Sequence, residues 1–63
     1  MTIQIENGWV QYDSQIGTFR GEVGGVIYGN FTDEFPTAES LVEAIGVPLN
    51  APELENLKTE KVS

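Results

Sequence analysis

The fold turns on one stretch, Ile3-Gln4-Ile5-Glu6-Asn7-Gly8-Trp9-Val10-Gln11-Tyr12. Apolar and polar residues alternate on either side of Asn7-Gly8, which is the period of a strand with one buried face. Asn-Gly accepts positive φ at both central positions of a type I′ turn, so it predicts a two-residue hairpin between Thr2–Glu6 and Trp9–Asp13. Pairing outward from that turn sets Glu6 against Trp9, Ile5 against Val10, Gln4 against Gln11 and Ile3 against Tyr12. Ile3, Ile5, Val10 and Tyr12 then share one face, and Gln4, Glu6, Trp9 and Gln11 share the other. Trp9 alone breaks the apolar/polar split.

The pattern continues downstream. Ser14-Gln15-Ile16-Gly17 returns the chain, so that Asp13 faces Thr18 and Tyr12 faces Phe19. In the strand Thr18–Val23, the residues Phe19, Gly21 and Val23 extend the apolar face, while Arg20 and Glu22 join the polar one. Gly24-Gly25 marks the next reversal. A two-residue turn there would set Phe19 against Asn30, so the alternation predicts a three-residue loop from Gly24 to Val26 instead. That loop pairs Val23 with Ile27, Gly21 with Gly29 and Phe19 with Phe31, and puts Val26 and Tyr28 on the face of Trp9. Facing glycines inside strands mark a bend, a closely packed helix or a ligand against bare backbone.

After Phe35-Pro36 the period changes. Ala38, Leu41, Val42 and Ile45 follow helical spacing. Thr37 is placed to cap that helix, Gly46 to end it, and Pro48 lies just beyond. Asn50-Ala51-Pro52-Glu53 reads as a second helix start, with Leu54 and Leu57 as a thin apolar stripe over a short or frayed helix at 51–59. Residues 58–63 have little to bury and are expected to form a mobile tail. The expected fold is a small α+β domain over 1–57. It comprises a four-stranded antiparallel meander with one amphipathic helix packed on one face, and a short C-terminal helix. The alternative is a small coiled barrel bent at Gly21 and Gly29.

The 63 residues carry ten Asp and Glu against three Lys and Arg, with no His and no Cys, for a formal net charge of −7. A domain of about 60 residues buries only roughly 60% of its unfolded surface, and disulfides are unavailable, so a larger partner or a second copy gains weight. Triads and imidazole bases need His, and thiolate nucleophiles need Cys. No glycine loop has phosphate-binding spacing. Carboxylate pairs remain at Asp33-Glu34 and at Glu39 with Glu43, but a chain this short scarcely forms a cleft deep enough to shift their pKa values. Asp33, Glu34 and Glu39 are accounted for by the positive end of the helix at 37–46, and Glu43 by its solvent side. No calcium-loop spacing is present. The expectation is a non-enzyme with no cofactor and no metal. No apolar run approaches the roughly 20 residues of a membrane span. Met1–Glu6 lacks the basic start and apolar core of a signal peptide, so a cytoplasmic protein is the default.

Phosphate binding needs Lys and Arg, so the acidity argues against nucleic acid or anionic lipid as a direct partner. It leaves basic protein surfaces. Residues 1–57 hold nine acids and one base, Arg20. Trp9 and Tyr28 would supply apolar anchoring, and Glu22, Asp33, Glu34, Glu39 and Glu43 the charge. The expected function is a small acidic interaction protein. It would bind, and inhibit or modulate, a larger protein with a basic, nucleic-acid-handling surface, with nucleic-acid mimicry as one route. On size and charge alone, the chain has the general look of a small viral or mobile-element protein. The alternative is a structural self-associating subunit, such as a homodimer through the Trp9 face or a sheet edge, or a small accessory component of a larger assembly. Solubility alone also accounts for the acids.

Overall fold

The computed structural model describes residues 2–62. Four antiparallel strands, β1 (Ile3–Ile5), β2 (Gly8–Asp13), β3 (Thr18–Val23) and β4 (Val26–Tyr28), pair in sequence order. Helix α1 (Ala38–Ile45) lies on β3 and β4, and helix α2 (Ala51–Val62) lies on β1 and β2. Both cover the same face, because the core joins Val10 and Phe19 of the sheet to Ala38, Leu41 and Ile45 of α1 and Leu57 of α2. This is the expected α+β meander. The sheet stays open, with β1 and β4 as its edges, so the barrel alternative is not realised.

The β2–β3 register is the expected one, with Asp13 facing Thr18 and Tyr12 facing Phe19. The Tyr12 and Phe19 rings stack at a tilt, 4.8 Å between centroids. The first hairpin differs. Ile5 faces Gly8 and Ile3 faces Val10, so the turn is Glu6-Asn7, with Asn7 at φ 68°. Every partner moves by two residues, an even step, and each side chain keeps its face. The cause lies in the neighbouring strand. A Cβ on Gly8 would overlap the Glu22 carbonyl oxygen and stand 2.8 Å from its carbon. The strand therefore needs the glycine at its crowded start, and the turn falls one residue earlier.

The third hairpin overturns the expected three-residue loop. Gly24 and Gly25, at φ 61° and 85°, form a two-residue turn, and Val23 faces Val26, Glu22 faces Ile27, and Gly21 faces Tyr28. A one-residue change swaps faces. Val26 and Tyr28 therefore belong to the covered side and Ile27 to the side of Trp9. The feared pairing of Phe19 with Asn30 never arises, because the chain leaves the strand at Gly29 (φ 85°). A Cβ there would stand 2.5 Å from the Arg20 Cβ and 2.6 Å from the Phe19 carbonyl oxygen. At Gly21 the nearest atom would be the Trp9 carbonyl oxygen, at 2.7 Å. Both glycines are thus pressed against the chain's own β2 and β3, which accounts for them without a ligand. The vacated edge of β3 is taken by Phe35, whose carbonyl accepts from Phe19 N–H at 3.0 Å and whose N–H donates to Thr18 Oγ1 at 2.8 Å.

Helix α1 starts and stops where its sequence signals stand. Ser40 N–H donates to Thr37 Oγ1 at 3.1 Å, Thr37 N–H donates to Ser40 Oγ at 3.2 Å, and Gly46 closes the helix in the left-handed region. At α2, Glu53 N–H donates to Asn50 Oδ1 (2.9 Å) and Asn50 N–H to Glu53 Oε1 (3.1 Å), the reciprocal cap its sequence predicts. Helix α2 does not stop at residue 59 but runs on through Lys58 and Lys61 to Val62. Few apolar residues are present in this stretch, and lysines hold it instead. Lys58 pairs with Glu39 at 2.7 Å. Lys61 Nζ donates to the Pro36 carbonyl at 2.7 Å and lies 5.9 Å from the Phe19 ring centroid. Ser63, the last residue assigned to the tail, lies outside the described residues.

Candidate interaction surface

Because both helices sit on one side, no helix covers the other face of the sheet among the described residues. The strand registers align Gln4, Trp9, Glu22 and Ile27 in one row across all four strands. Trp9 is half-buried, and its Nε1–H donates to Glu22 Oε1 at 3.1 Å. Ile27 is 50% exposed. In the next row Thr2 Oγ1 donates to Gln11 Oε1 at 2.7 Å, and Arg20 turns to Asp13, 3.3 Å away. Trp9 and Glu22 are therefore together, as the sequence implies. Tyr28 is not with them, because the two-residue turn places it on the covered side, packed against the core. Ile27 stands where Tyr28 was expected. The missed signal was the Gly24-Gly25 pair, which supplies both positive φ values of a tight hairpin.

The remaining acids are dispersed. Asp33 and Glu34 lie in the loop between β4 and α1, and Asp33 N–H donates to the Ile16 carbonyl at 3.1 Å. Glu34 Oε1 accepts from the N–H groups of Asn30 (2.9 Å) and Phe31 (3.3 Å), so that carboxylate braces its own loop. Helix α1 begins only at Ala38, so Glu39 alone occupies its first turn. The dipole effect fades within that turn, and Asp33 and Glu34 are outside it, contrary to the sequence expectation. Glu39 and Glu43 are exposed on α1, whose apolar side faces the sheet. They look outward from the opposite side of the domain to Trp9. Of the proposed acids, Glu22 is the one bonded to Trp9.

The ammonium of Lys58, hydrogen-bonded to Glu39, holds that carboxyl below its ordinary value, and Glu39 raises Lys58 in return. Folding stability from the lowered Glu39 is present above its unfolded value and is lost as pH falls through the folded one. Stability from the raised Lys58 is present below its unfolded value and is lost as pH rises through the folded one. In an NMR titration, Glu39→Gln is expected to return the Lys58 midpoint towards that of an ordinary lysine. An unchanged Lys58 midpoint would show that the α1–α2 pair does not form in solution.

All three basic side chains are thus engaged inside the chain, Arg20 with Asp13, Lys58 with Glu39 and Lys61 with Pro36. Among the described residues, no group of three or more Asp and Glu side chains converges as a metal site, and no helix is long and apolar enough to cross a membrane. Comparison with protein-family models, with curated proteins and with solved structures finds no match to this chain.

Proposed function

We propose that this chain is a non-enzymatic interaction protein that binds a larger protein through that partner's basic surface and modulates it, by inhibition where the surface is a nucleic-acid site. The supporting observation is that all three basic side chains engage groups within the chain while its formal net charge is −7 and Asp33, Glu34 and Glu43 stand exposed. Filling a nucleic-acid groove asks for acids along one surface, and Glu22 and the α1 acids stand on opposite sides. Long-range steering asks only for the summed charge, so the carboxylates act on encounter and the Trp9 face on contact. The proposed setting is the cytoplasm, with a nucleic-acid enzyme as the partner class.

The test is capture of partners from nuclease-treated lysate, followed by stopped-flow association with the captured protein. The association rate is expected to fall by about tenfold or more between low and high salt, as steered encounters do. An association rate indifferent to salt overturns the proposal.

A further inference from the structure

Resting on that reading of a basic partner, we infer that the open sheet face is the docking surface. Its occupant is an arginine side chain of the partner protein, with the guanidinium lying on the Trp9 indole and its N–H groups on Glu22. The Trp9–Glu22 hydrogen bond fixes the indole edge and engages Glu22 Oε1 at 3.1 Å. Glu22 Oε2 accepts nothing from the described residues, and the one base on that face, Arg20, is turned to Asp13. A carboxylate beside a fixed indole face offers a cation both an ion pair and the ring quadrupole. Ile27, next to Glu22 across the strands, gives apolar ground for an aliphatic stem.

Charge selects this occupant over others. A second copy laid on the same face would bring Glu22 towards its own counterpart, with −7 facing −7. An uncharged apolar partner would desolvate Glu22 without pairing it, which is strongly unfavourable. Arginine suits the site better than lysine because guanidinium is planar, weakly hydrated and able to stack while donating in its plane.

The experiment titrates the protein with a blocked peptide of alternating Arg and Gly, and with its Lys and citrulline counterparts. Amide and indole N–H shifts and the fluorescence of the single tryptophan are followed. Expected are shifts centred on Trp9, Glu22 and Ile27, arginine binding more tightly than lysine, and no binding by citrulline. Trp9→Leu and Glu22→Gln should each weaken the arginine peptide by about tenfold. Trp9→Phe, which keeps a ring but loses the N–H, should weaken it less. Shifts centred on Glu43 and Glu55 with Trp9 unmoved would overturn the inference and leave the basic-partner reading standing. No shift with either cationic peptide at low salt would overturn both. Self-association abolished by Trp9→Leu would replace the arginine with a second copy.

Discussion

Gly8→Ala is expected to abolish the native fold. Gly8 is where three strands meet, facing Ile5 on one side and Val23 on the other. An added Cβ overlaps the Glu22 carbonyl oxygen, and its other near neighbours, the Glu22 carbon and the Val23 Cα at 3.1 Å, are also backbone. No side chain can rotate away to relieve the overlap. β3 would have to retreat, and Gly24 N–H, which donates to the Asn7 carbonyl at 3.1 Å, would go with it. A chain of this length has a total stability of about 3–9 kcal/mol, and disrupting the central ladder exceeds that. Far-UV circular dichroism and amide dispersion should report an unfolded chain. Gly25→Ala is the control, since nothing lies within 4 Å of its Cβ and only its positive φ is strained, at about 1–2 kcal/mol. A Gly8→Ala protein that melts cooperatively near the parent temperature would refute the register.

Leu57→Ala should be the most damaging truncation on α2. Leu57 has no exposed surface and is, among the described residues, the one fully buried side chain this helix contributes, Leu54 being only partly covered. Such truncations cost about 2–5 kcal/mol, depending on how far the site collapses. Against the small total, that lowers Tm by at least about 10 °C. The same substitution distinguishes a helix that closes the core from one that merely decorates it. If α2 is peripheral, Tm stays within a few degrees and the Val10 and Phe19 resonances do not move.

The elements that were legible in the sequence are those whose local chemistry and global packing ask for the same thing. In α1, Thr37, the Ala38/Leu41/Ile45 stripe and Gly46 all specify one helix, and it forms there. The β2–β3 register followed from alternation on both strands, and it places Glu22 opposite Trp9. At the third hairpin two signals conflict. Alternation asked Phe31 to pair with Phe19, and the double glycine asked for a tight turn. The turn prevails because the chain abandons the strand at Gly29, leaving Phe31 71% exposed. That single residue of register exchanged Tyr28 for Ile27 in the candidate surface. At Asn7-Gly8 the local rule failed for a different reason, since the demand on Gly8 comes from β3 and no dipeptide preference encodes it. The lysine contacts of α2 were illegible because long flexible cations leave no periodic trace.

All strands precede both helices in the chain, and two of its three cations lie in the last helix. The pairings of the meander all fall within residues 3–28, so its ladders need neither helix. Until α1 and α2 dock, Val10 and Phe19 are bare, and a partly folded chain presents an apolar face to its neighbours. The surplus of carboxylates sets such chains against one another while that face is open, so the acidity also guards the folding chain against aggregation.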